Sequence, residues 1–131
     1  FDPIFFHYGE DDNYCQRVHY HGFKIGVVPS AFLFHDRESR PSKKPIYGSD
    51  EYFILLERNF KIRFGNINLE NLHALNRHRE KRNRQAIKAY LKLQFKRAKQ
   101  LQKEVNLINK ILPELEKSRA ITKEKGEHYL G

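Results

Sequence analysis

The chain reads as an α+β protein in which helix predominates, and three features say so. Residues 23–28 are rich in Ile and Val and are closed by Pro29, which predicts a short strand. Residues 52–64 carry large apolar side chains at helical spacing. From about residue 69 to 119 there is no Gly and a single Pro, Pro113, so that stretch is predicted helical throughout.

The first eight residues are aromatic and apolar (Phe1, Ile4, Phe5, Phe6, Tyr8) around a turn-like Asp2-Pro3, and suit a loop or short helix packed beneath the next element. Gly9 then introduces Glu10, Asp11 and Asp12, acids placed where a helix dipole favours them. That helix should run from about Asp11 to His21 and stop at Gly22, which tolerates positive φ. After the strand at 23–28, residues 31–34 form a second extended stretch that delivers His35. Residues 37–45, with two Pro, two Ser and four basic side chains, read as a loop.

Ser49 can cap a second helix, with Asp50 and Glu51 in its first turn. Phe53, Leu56, Phe60 and Phe64 make one stripe along it. Gly65-Asn66 breaks the helix, and Asn68 can cap the next. In the long helical stretch, Ile87, Leu91, Ala98, Leu101, Val105, Ile108, Leu112 and Leu115 form a heptad-like seam. A helix from 75 to 112 would be about 57 Å long and must pack on another helix, its own copy or the rest of the domain. The tail from Thr122 is polar and should fray. Three parts result: 1–48, 49–66 and 67–131.

Composition narrows the function classes. Hydrophobic residues are 39% and charged residues 31%, yet 10 Phe and 7 Tyr argue against wholesale disorder. The formal net charge of +9 favours an anionic partner. One cysteine, Cys15, excludes an internal disulfide and suits a reducing compartment. No apolar run approaches the roughly 20 residues that span a bilayer. The chain has no Met and opens within domain-like sequence, so it reads as a fragment.

The chemistry concentrates in Gly9-Glu10-Asp11-Asp12-Asn13-Tyr14-Cys15-Gln16-Arg17, then Gly22-Phe23-Lys24-Ile25, Val28-Pro29-Ser30-Ala31 and His35. Adjacent carboxylates at a helix start can take a proton from a hydroxyl nucleophile. A neutral histidine can ligate a divalent ion. Both patterns also have plain structural uses, as dipole compensation and as a surface residue. In this order, with Phe1-Asp2 and Phe5-Phe6 leading in and Arg58-Asn59 following, the residues resemble the last third of the catalytic domain in GT-A family-2 glycosyltransferases of the bacterial polysaccharide type. The resemblance covers roughly residues 1–64.

The resemblance implies the C-terminal part of a GT-A α/β domain followed by long helices. It implies an inverting transferase using a nucleotide-sugar donor and a glycan acceptor, on the cytoplasmic side of the membrane. Asp11 would be the general base and Glu10 would position the acceptor or share the proton. Arg17 and Asp12 would contact substrate, and His35 would help hold a divalent metal, Mn or Mg. Asp12 stands where the family is usually apolar, and Asn13 where a further acid is common. The family's nucleotide-binding half and its Asp-x-Asp motif are not in these residues, so the chain alone should be inactive.

A second reading comes from the basic run around residues 77–84 and the Lys and Arg beyond it. A solvated helix face is the plain account. A membrane surface met by the basic and aromatic helices is the next, and self-association through 87–115 another. Nucleic acid fits least, because no recognition motif is present and the aromatics do not interleave with the basic run.

Overall fold

Gly9 and Ser49 start two helices by different means. Gly9 adopts φ 91° in the left-handed region and leads into α1, Glu10–Tyr20. Ser49 is extended, and its side-chain oxygen accepts from the Tyr52 N–H at 3.2 Å at the head of α2, Asp50–Gly65. Two longer helices come next, α3 (Leu72–Leu91) and α4 (Phe95–Lys123), and a 3-10 turn at Pro3–Phe5 precedes α1. This computed structural model describes residues 2–5, 9–32, 34, 44–70 and 72–126.

No strand forms among the described residues, so the α+β expectation, with its GT-A α/β domain, is corrected to all-α. Residues 23–28 lie outside any helix, yet no strand among the described residues pairs with them, and Val27 is 88% exposed. An Ile- and Val-rich segment becomes a strand only where a pleated neighbour supplies hydrogen bonds and a surface to pack on. Phe32 and Phe34 are equally uncovered.

The single long helix is also corrected: it breaks at residues 92–94. The Gln94 N–H donates to the Ala89 carbonyl and the Leu93 N–H to the Tyr90 carbonyl, both at 2.9 Å. This is a Schellman closure, which wants Gly at the left-handed position. Here that position is Leu93, at φ 58°. With neither Gly nor Pro at the break, local composition gives no sign of it.

The break folds α3 back along α4. Arg79 reaches Asn109 and Arg82 reaches Glu104, so the pair is antiparallel. α2 runs beside α4 in the parallel sense, with Tyr47 against Gln100 and Glu57 against Lys110 at a constant offset of 53 residues. Lys61 bridges Glu57 at 2.7 Å and Glu114 at 3.5 Å on this outer seam. Lys61 and Glu57 are part-buried, but contact with solvent keeps each pair's contribution modest, about 1 kcal/mol.

The main core joins Phe64 of α2, Leu75 of α3 and Ile108, Ile111 and Leu115 of α4, with Phe60 and Ile4 against it. The heptad-like seam is therefore filled within the chain from Ala98 to Leu115, while Ile87 and Leu91 stay exposed. The aromatic stripe of α2 is likewise turned inward at Phe60 and Phe64. No helix among the described residues is long and apolar enough to cross a membrane.

Candidate functional site

α1 carries the acidic turn and is seated at the C-terminal end of α4. His21 Nε2 donates to the Thr122 carbonyl at 2.9 Å. His19 Nδ1 donates to Asn68 Oδ1 at 3.2 Å, and Asn68 Nδ2 donates to the Gln16 carbonyl at 2.8 Å. Asn68 thus ties the α2–α3 connection to α1 rather than capping a helix. The two histidines, two residues apart, both serve this docking.

The other end of α1 is set by Gly9. A Cβ there would meet Ile62 Cγ1 at 2.5 Å and Cδ1 at 2.9 Å, and the backbone already sits at positive φ. Only Gly satisfies both conditions. Below it, the 3-10 turn buries Phe5 against Gly65. Asp2 of that turn is buried and accepts from the Ser118 hydroxyl of α4.

On this support Asp11 and Asp12 stand exposed in the first turn of α1. Glu10 is half-buried, and its Oε2 has no hydrogen-bond partner among the described residues. Asn13, 2% exposed, has its Nδ2 in the same state, as does Gln16 Oε1. Buried polar groups without partners cost about 1–3 kcal/mol each and need an explanation, such as a water or a functional use. Arg17 is half-buried one turn further on. Glu10, Asp11, Asp12 and Arg17 therefore share one anchored helix.

His35 lies outside the described residues. Among those described, no three His, Cys, Asp or Glu side chains come together to hold a metal ion. The acidic turn alone does not make a divalent-metal site.

A second polar cluster has no counterpart in the sequence expectations. Glu104 is 1% exposed within the α3–α4 seam. Its Oε1 accepts from Tyr47 at 3.1 Å and from Tyr52 at 3.3 Å. Arg82 Nε lies 2.8 Å from its Oε2. That N–H, however, donates to His78 Nε2 at 3.3 Å, so charge rather than a hydrogen bond meets Oε2. Burial, then the Glu104 charge and hydrogen bond, push Tyr52 up to about 12 and also raise Tyr47. Register could have revealed this cluster. Glu104 falls on the apolar stripe of Leu101, Val105 and Ile108, and it is the only acid in residues 81–113.

No known protein family, curated protein or solved structure matches the chain.

Proposed function

We propose that the chain is the acceptor-side part of an inverting, nucleotide-sugar-dependent glycosyltransferase acting in surface polysaccharide assembly, peripheral on the cytoplasmic side of the membrane. The observation that carries the reading is the ordered run from Gly9 to Arg17, with Asp11 exposed on a helix whose start tolerates only Gly. In the reaction the acceptor hydroxyl oxygen attacks the anomeric carbon of the donor while Asp11 takes the hydroxyl proton. The bond from that carbon to the diphosphate breaks, and its electron pair leaves with the nucleotide. A lone base on the acceptor side gives inversion.

Glu10, half-buried next to Asp11 in the chain, has an Oε2 with no partner among the described residues that would accept from an acceptor hydroxyl. The uncovered apolar side chains of Phe23, Val27, Phe32 and Phe34 are a surface that a nucleotide-binding half would cover. Arg17 would meet the donor phosphates and Asp12 the acceptor hydroxyls.

The test uses the protein that contains this chain, a panel of nucleotide-sugars and a short oligosaccharide acceptor. Asp11→Asn should lower kcat by about 10²–10⁴-fold, the range for losing a general base. Cys15→Ser, at an exposed position of the same helix that touches neither substrate in this scheme, should leave kcat within a few-fold. Full transfer by the Asp11→Asn protein sinks the assignment. A second reading, a basic helical interaction module, draws on the far end of the α3–α4 hairpin and does not compete for these residues.

A further inference from the structure

The hairpin end is built inside out. Ala86, Ala89 and Ala98 are buried there, with Leu101, while the large apolar side chains face solvent. Ile87, Tyr90, Leu91, Leu93 and Phe95 are each more than half exposed. Between them lies an open groove of about 510 Å³ that includes Tyr90, Leu91 and Phe95. A patch of this kind on a chain with a well-filled core elsewhere marks a surface that something else covers.

Charge identifies what covers it. Residues 81–103 hold nine basic side chains and no acid. The whole chain has 25 basic and 16 acidic residues, so the remainder carries sixteen of each and is formally neutral. All of the net charge of +9 is therefore at this end. Lys88, Lys92, Lys96, Arg97 and Lys99 are exposed around the apolar tip.

We propose that the α3–α4 elbow docks on an anionic lipid bilayer. Leu91, Leu93 and Phe95 enter the boundary between headgroups and acyl chains, and the surrounding Lys and Arg meet headgroup phosphates. Long basic side chains suit this, since their stems lie along apolar surface while the charge stays wet. A second copy of the chain would bring the same positive end against this one. Nucleic acid would answer the charge but leave Leu91 and Leu93 in water, and Tyr90 and Phe95 pack edge to face on each other at 5.6 Å rather than splaying for base stacking.

Leu93 adds an independent sign. A left-handed backbone strains any side chain with a Cβ, and Gly is the usual occupant. The strained residue here is a leucine, 73% exposed, at the point of the turn. Its side chain gains nothing from the chain's own core, and the bilayer gives it a use. The proposal does not depend on the role of Asp11.

The test is flotation of the full 131-residue chain with vesicles of phosphatidylglycerol and phosphatidylcholine, against phosphatidylcholine alone. Binding should occur only with the anionic vesicles and weaken with salt. Lys92→Ala with Lys96→Ala should reduce partitioning roughly thirtyfold, from about 1 kcal/mol per basic residue. Leu93→Gly should weaken binding while raising the thermal midpoint, which separates docking from folding. Because the chain has no Trp, Phe95→Trp gives a clean reporter whose emission should shift to shorter wavelength on anionic vesicles. No binding at low salt overturns the proposal. So does binding that ignores Leu93→Gly with no shift at Phe95→Trp, which would indicate a general polyanion site. Sedimentation as a dimer that hides Phe95→Trp from quencher would assign the face to a second copy instead.

Discussion

Arg82 Nε sits 2.8 Å from the buried carboxylate of Glu104 on α4 while donating its proton to His78 one turn back on its own helix, α3. Removing the cation leaves a buried carboxylate with two tyrosine hydroxyls and no opposing charge. Arg82→Ala should destabilise the chain by about 3 kcal/mol, toward the low end for a broken buried pair because Arg82 is part-exposed. Urea denaturation reads this. Arg82→Ala combined with Glu104→Leu should recover much of the loss, because the unpaired charge is then gone.

Arg119 ties the end of α2 to α4. It is 6% exposed and donates to the Phe64 carbonyl at 3.0 Å, to the Asn66 carbonyl, and to the Leu69 carbonyl at 2.6 Å. These acceptors include a carbonyl in the last turn of α2, where a cation also answers the helix dipole. Arg119→Met keeps the bulk and leaves the carbonyls unmatched. The expected loss is about 3–5 kcal/mol, with faster amide exchange across residues 66–69.

Gly9→Ala joins two penalties, positive φ and the clash with Ile62. A cost of about 1–3 kcal/mol is expected from the backbone alone. Gly9→Ala combined with Ile62→Val should recover part of the loss by relieving the contact, while the φ penalty remains. If Gly9→Ala is neutral in thermal melts, α1 is not held as described.

His78 and Tyr52 set opposite pH windows. Burial lowers the His78 pKa from 6.5, and Arg82 adds to this against the opposing pull of Glu104 4.0 Å away. The folded state holds the neutral ring, which accepts from Arg82. Its contribution is complete above 6.5 and is lost as pH falls through the lower folded value. Tyr52 is raised to about 12 from 10, so its contribution is complete below 10 and lost as pH rises toward 12. Thermal midpoints tracked across both ranges should fall at each end. His78→Asn should flatten the acid limb and Tyr52→Phe the alkaline one.

Helix boundaries set by local chemistry are readable from sequence. Gly9 and Gly22 bracket α1, and Ser49 caps α2 through its own oxygen. What depends on a distant partner is not. Residues 23–28 have the composition of a strand but no strand partner among the described residues, and the α3–α4 break sits at a leucine where Gly would be expected. Glu104 is marked as buried by its place on the apolar stripe, but its partners lie 22 and more positions away, so register alone does not name them. Of the candidate site, the acidic turn is where the pattern puts it, exposed at the start of α1. Its anchoring through His19, His21 and Asn68 depends on which carbonyls and amides tertiary packing brings near.

The 29 residues of α4 are about 43 Å of rod at 1.5 Å per residue. Leu93 leads into one end, and Thr122, which receives His21 of α1, lies near the other. The helix therefore acts as a ruler. If the elbow rests on lipid and Asp11 works on a growing glycan, an upright hairpin selects sugars roughly 40 Å from the headgroups, while a reclining one brings the base down to lipid-proximal units. The tilt of a single helix would then decide which acceptor lengths are within reach.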